Sequence, residues 1–215
     1  MWIYRGQTDG GLPLLPKAGR PQFDDPQARQ RRANPAYLQL PPDDVNWFSW
    51  LWKKEAVAFS QEVPQNEFEC LAYAQHYGLA TRLLDWTTNP LAALYFAVEA
   101  EYEKDGGVFA YTSTVHIDSD KGILDQPAHP VALYFPRPFD RRILCQAACF
   151  TCHSEPWKPL PLEPDGAVRI IVPSARKHEI QKWLDTIGVN RKTLFPDLEG
   201  LSAFINWRVT CRGDQ

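Results

Sequence analysis

The stretch from Gly78 to Pro90 holds a helix stop, a strand and a helix start in close succession, and no other part of the chain constrains the fold so tightly. A run at helical spacing, Phe68, Leu71, Ala72 and Gln75, precedes it and begins at Asn66, whose side chain can cap the free amides of the first turn. Gly78 is placed to end that helix, since glycine enters the left-handed region without a Cβ penalty. Residues Thr81 to Asp85 then suit a strand. Asn89-Pro90 reads as an N-cap followed by proline at the first helical position, where its missing amide costs nothing. That second helix carries Leu91, Leu94, Tyr95, Val98 and Tyr102 and stops before Gly106-Gly107. Helix, strand and helix must therefore share one small volume.

The flanks extend the same mixture. Trp2 to Arg5 suits a short strand ended by Gly6, and residues 8 to 44, rich in proline and glycine, are expected to run as surface loop. Trp47, Trp50, Leu51 and Val57 recur near helical spacing between Val45 and Phe59. Strands are expected at Val108 to Val115, Ile143 to Thr151 and Val168 to Val172. Ser174 is expected to cap a helix with Ile180, Trp183, Leu184 and Ile187, closed by Gly188, and a last helix follows Pro196. Strands and helices alternate without a regular βαβ rhythm, which favours α+β over a doubly wound sheet. With 215 residues, a single domain over 1–215 is the expectation.

Composition excludes several classes. The chain is 44% hydrophobic and 23% charged, which is globular and not disordered. Its net charge of −3 gives no general reason to expect nucleic acid or an anionic membrane as partner. Arg29, Arg31 and Arg32 form the densest basic spot, in a polar stretch that reads as solvated loop. The longest apolar run, Leu91 to Val98, is too short to span a bilayer. The start Met1-Trp2-Ile3-Tyr4-Arg5-Gly6 lacks signal-peptide character, and five cysteines then point to free thiols in a reducing, cytoplasmic compartment.

Four stretches carry a family resemblance. They are Tyr4-Arg5-Gly6-Gln7; the block from Ala74-Gln75-His76-Tyr77-Gly78 through Asp85-Trp86-Thr87-Thr88-Asn89-Pro90 to Phe96-Ala97; Arg142-Ile143 with Gln146, Phe150-Thr151 and His153; and Leu194-Phe195-Pro196-Asp197-Leu198-Glu199-Gly200-Leu201. Together they resemble the FRG domain family. The resemblance implies a distant relationship to the ADP-ribosyltransferase fold, in which two small, mostly antiparallel sheets flanked by helices form a cleft for NAD. It places Tyr4-Arg5-Gly6 as the first element, Asp85-Trp86-Thr87-Thr88 with the following helix as the second, and a strand around Gln146 as the third. Gln146 stands where the transferase pattern has Glu, which sets enzymatic turnover against a non-catalytic nucleotide-binding or protein-interaction role.

The implied chemistry assigns candidate roles. Arg5 offers a planar donor fork to phosphate or ribose beside Gly6, which permits close approach; the alternative is an ion pair with Asp85. His76 and Tyr77 could hydrogen-bond and stack on a base or nicotinamide, or could favour the helix end and pack in the core. Arg82 and Asp85 are three apart on a strand and point to opposite faces. Asp85 could orient Arg5 or supply the missing carboxylate, as could Glu155, Asp197 or Glu199. Thr87 and Thr88 could offer hydroxyls to the ligand or cap the Pro90 helix. Catalytic candidates are thus Gln146, Asp85 and His76; binding candidates are Arg5, Gly6, Tyr77, Thr87 and Thr88. NAD is expected as substrate, with an acceptor that residue types do not name.

Cys149-Phe150-Thr151-Cys152-His153 matches the spacing of c-type haem attachment. The only Met is Met1, which leaves no internal methionine as axial ligand. In an extended strand residues 149 and 152 face opposite ways, so neither haem nor zinc is expected there.

Overall fold

A computed structural model describes residues 1–23, 44–118, 129–164 and 166–212. The cluster Arg29, Arg31, Arg32 and the side chain of Trp47 lie outside the described residues. In chain order the elements are β1 (Trp2–Gln7), α1 (Asp44–Ala56), α2 (Glu67–His76), β2 (Leu83–Thr87), α3 (Pro90–Val98), β3 (Gly106–Thr112), β4 (Val131–Tyr134), α4 (Arg141–Cys145), β5 (Ala148–His153), β6 (Val168–Val172), α5 (Lys177–Thr186), α6 (Arg191–Leu194) and α7 (Leu198–Arg212).

Among the described residues the strands form one six-stranded sheet in the order β4-β5-β2-β1-β3-β6, with every named pair antiparallel. The expected pair of separate sheets is therefore corrected to one, because β1 still pairs with β2. That pairing is a single residue pair, Tyr4 with Thr87, whereas β1 pairs with β3 along its whole length from Trp2–Thr112 to Gln7–Gly107. The sheet is two three-stranded halves joined at a narrow seam.

Both faces of the sheet are covered. On one face Ile3, Leu84, Trp86, Phe109, Leu133 and Cys149 pack under loop residues Leu14 and Leu160. On the other, α2 covers the β4-β5-β2 half through Phe68, Leu71 and Ala72, which meet Leu83, Phe150 and Cys152. Helix α3 covers the β1-β3-β6 half with Ala92, Ala93, Ala97 and Val98, backed by Leu184 of α5 and Leu194 of α6. The seam thus runs between two helices. Gly6 brings β1 and α3 together: a Cβ there would stand 1.9 Å from the Ala93 carbonyl oxygen. Its missing side chain serves this contact, although Gly6 also borders the cleft described below.

The local signals act largely as expected. The Asn66 side chain accepts from the amides of Phe68 and Glu69, and Asn89 accepts from Leu91 ahead of Pro90 in the first turn. Gly78 sits at φ 93°, in the left-handed region. Other expectations change. The strand expected at 143–151 is helix α4, capped by Asp140, followed by a turn and then β5. The strand expected at 81–85 begins two residues later, because Thr81 is drawn back by a hydrogen bond to Gln75. Ser174 does not cap with its side chain; its amide donates to Asp105 Oδ1 at 2.8 Å at the start of a 3-10 turn leading into α5. Helix α1 ends at Ala56, leaving Val57 exposed and outside it; Ala56 packs with Val63, Cys70 and Trp52.

Lys177 locks the seam-side helix in place. Its side chain is wholly buried, and Nζ donates to the carbonyls of Thr8 (2.6 Å), Ala100 (3.0 Å) and Glu101 (3.0 Å). One ammonium thereby ties the exits of β1 and α3 to the start of α5, with all three donors engaged.

Candidate functional site

A cleft of about 800 Å³ opens where β1 and β2 part. Beyond the Tyr4–Thr87 pair the ladder stops, and the Arg5 side chain enters the gap. Its Nη1 donates to the main-chain carbonyl of Asp85 at 2.7 Å and lies 3.7 Å from the Asp85 carboxylate. Arg5 so replaces the amide that a continued ladder would have offered to that carbonyl. Its Nε is buried and has no hydrogen-bond partner among the described residues. Burial pulls the proton affinity of Arg5 below the usual arginine value; Asp85 opposes this and nearby Arg20 adds to it. The group stays charged at neutral pH.

Asp85 is the exposed residue of an otherwise buried strand. Gln75 Nε2 donates to its Oδ1 at 2.8 Å, while Gln75 Oε1 accepts from Thr81. Arg5, Asp85, Gln75 and Thr81 form one connected chain across the mouth of the seam. Arg82 is buried on the other side and donates to the carbonyl of His153, so Arg82 and Asp85 have separate partners as their spacing implied.

Arg5, Gly6, His76, Asp85, Thr87 and Gln146 all border the cleft. Tyr77 and Thr88 do not. Tyr77 is 64% exposed, its ring meeting Tyr73 and His76 edge-on outside the cleft, because it follows the last residue of α2. Thr88 is exposed at the turn into α3, with its amide on the Ala147 carbonyl. His76 lies 3.8 Å from the Asp140 carboxylate and packs edge-on against Phe139. The Thr87 hydroxyl donates to the Gln146 carbonyl at 2.6 Å and accepts from the Asn89 amide at 2.9 Å. It is thus committed to joining β2, α3 and α4.

Gln146 is not on a strand. It caps the C-terminus of α4, and its Nε2 donates to the Leu194 carbonyl at 3.0 Å. A carboxylate could not make that contact. The side chain holds α6 against α4, a role that requires an amide.

Several cleft residues carry no role in the sequence reading. Glu99, at the C-terminal end of α3, borders the cleft and is held by Arg191 at 2.9 Å. Burial pushes its carboxyl above the usual range against the opposing effects of Arg191 and Tyr95. Its signal was its place three residues after Phe96, on the same helical face. Arg142 is gripped by Asp197, Nε at 2.9 Å and Nη2 at 2.5 Å; the Gly200 amide first, and Arg142 after it, hold the Asp197 carboxyl below its usual value. Phe195 lies between Arg191, whose guanidinium sits 3.6 Å from the ring centroid, and Arg142 at 5.4 Å, with Phe96 edge-on. Glu155, Asp197 and Glu199 do not border the cleft; Asp85 and Glu99 are the carboxylates that do among the described residues.

The Cys149–His153 segment is interior packing. Cys149 belongs to the core of one sheet face and Cys152 to the other. Burial pushes the Cys149 thiol up to about 12. Trp86 Nε1 donates to Thr151 Oγ1 at 2.9 Å, and Thr151 Oγ1 lies 2.9 Å from His153 Nε2. Burial brings His153 down to about 4, so its imidazole is neutral at physiological pH. No group of three or more His, Cys, Asp or Glu able to hold a metal occurs among the described residues.

The FRG domain family model matches residues 1–106, which covers β1 through α3 and both strands of the seam. The chain carries an FRG domain. Arg5, Gly6, His76, Asp85, Thr87 and Glu99 fall inside the matched stretch of the FRG domain, whereas Arg142, Gln146 and Phe195 lie beyond it. No curated protein and no solved structure is significantly similar to the chain. Among the described residues no helix is long and apolar enough to cross a membrane.

Proposed function

We propose that this FRG domain binds NAD in the cleft at the β1–β2 seam and acts on it as an ADP-ribosyltransferase-like domain, transferring or hydrolysing the ADP-ribose unit. The observation that carries this reading is Arg5: a buried guanidinium bordering the cleft, with Nε unpartnered. A buried cationic donor without an acceptor favours an anionic ligand oxygen, and a diphosphate supplies several. The cleft volume lies within the range of small-molecule and cofactor sites. Phe96, Phe150 and Phe195 supply aromatic surface for flat rings. The two three-stranded halves are compatible with the two-sheet architecture that the family resemblance implies.

Breaking the bond from ribose to nicotinamide sends its electron pair to the ring and leaves a cation-like sugar. A nearby carboxylate stabilises that charge, and Asp85 and Glu99 are the candidates. Water or a macromolecule would act as acceptor. The free thiols Cys70, Cys145, Cys149 and Cys152 suit a reducing cytoplasm. One observation favours the second reading, a nucleotide-binding or protein-interaction module without turnover: the amide of Gln146 is committed to Leu194.

Calorimetry with NAD and ADP-ribose on wild type and Arg5→Ala, beside an NAD-consumption assay, tests both readings. The expected result is binding that Arg5→Ala weakens about tenfold or more. Binding without consumption selects the second reading as a nucleotide-binding module, and no binding at millimolar dinucleotide removes every nucleotide reading and leaves a protein-interaction module.

A further inference from the structure

The two acids of the cleft differ in how they are compensated. Asp85 is solvent-exposed and meets Arg5 and Gln75. Glu99 is largely buried, and its one ion pair is a single-point contact from Arg191 Nη1. Arg191 Nε has no hydrogen-bond partner among the described residues, so the pair is not the two-toothed kind. Glu99 also borders a second cavity of about 170 Å³, which Arg191, Tyr95, Gln181 and Asn190 line from behind. Arg191 lines that rear cavity and not the cleft. Seen from the cleft, the carboxylate stands in front and its cation behind it. Burial outweighs the pairing and leaves the carboxyl easier to protonate than an ordinary glutamate, which marks a charge with room for another cation. The neighbouring cation Arg142 differs, since Asp197 takes two of its donors.

The rings of Phe96 and Phe195 border the cleft beside Glu99. A flat ring resting there would lie next to the carboxylate, and a cationic ring would gain what a neutral ring of the same shape would not. We infer that Glu99 makes the cleft selective for the oxidised dinucleotide, whose nicotinamide ring is positively charged, over the reduced form, whose ring is neutral. This rests on the NAD reading above and names the residue that sets its redox-state preference. Arg5 and the diphosphate contribute equally to both forms, so the discrimination falls to Glu99.

Titration calorimetry of NAD+ and NADH against the full chain measures it. Wild type is expected to bind NAD+ about tenfold more tightly than NADH, and Glu99→Gln to bring the two within about twofold. Equal binding by wild type, or a preference that survives Glu99→Gln, overturns the inference and leaves the NAD reading standing. Binding of neither form overturns the NAD reading, and this inference with it. Because Glu99→Gln leaves Arg191 without its carboxylate and could impair folding, a second measurement uses wild type alone. The N-methylnicotinamide cation is expected to displace NAD+ at roughly tenfold lower concentration than neutral nicotinamide. Equal displacement overturns the inference even if the variant does not fold.

Discussion

The Arg5 guanidinium donates to the Asp85 main-chain carbonyl across the seam between β1 and β2, in the place a strand amide would have taken. One side chain therefore both closes a backbone vacancy and borders the cleft. Arg5→Ala is expected to leave the Asp85 carbonyl without its protein partner and to lower stability by about 1–2 kcal/mol. Arg5→Lys, which keeps the charge without the fork, is expected to recover part of that loss. Urea denaturation checks both; an unchanged midpoint in Arg5→Ala would show that the carbonyl does not need the arginine.

Gln146→Glu is expected to weaken the fold and not to create activity. The new carboxylate would face the Leu194 carbonyl oxygen, exchanging a 3.0 Å donor contact for repulsion between acceptors. A loss of about 1–2 kcal/mol follows. NAD consumption is expected to stay at the wild-type level. A rise in hydrolysis would place the Gln146 side chain at the reacting centre instead.

Protonation of His153 is expected to destabilise the domain in mild acid. The folded value of about 4 lies below the ordinary 6.5, so between these pH values the unfolded chain binds the extra proton and stability falls as pH falls. The loss from this residue reaches about 2 kcal/mol by pH 5 and is complete below the folded value. Comparing urea midpoints at pH 7 and pH 5 for wild type and His153→Gln isolates it. The variant is expected to have the shallower pH dependence.

Lys177→Met is expected to cost about 3 kcal/mol or more, since it strips the donor from the carbonyls of Thr8, Ala100 and Glu101 together. The variant keeps the apolar stem, so the loss reports the ammonium and not the packing. A shift in thermal midpoint equivalent to less than 1 kcal/mol would mean that water reaches those carbonyls.

The sequence by itself determined the features whose causes lie within a few residues. Asn66 and Asn89 cap because each side chain meets an amide two residues ahead; Gly78 ends α2 because no Cβ opposes its φ; Val168–Val172 is a strand because its apolar β-branched run has no competing signal. The family, too, was legible in the block around Asp85-Trp86-Thr87-Thr88-Asn89-Pro90, as were six of the cleft-lining residues. Tertiary structure alone decided what depends on distant partners. The Gln146 side chain is committed because Leu194, 48 residues on, accepts from its amide, and no local pattern encodes that. Tyr77 leaves the cleft through the direction in which α2 ends. Glu99 enters it because α3 lies close against Gly6, and its charge is tuned by Arg191 from the far end of the chain. The seam itself is such a case: one residue pair joins two half-sheets, and the backbone groups left open there are what admit Arg5 and make a cleft possible. Capping and periodicity act over a single turn, whereas a cleft is made by elements that meet only once the chain has folded.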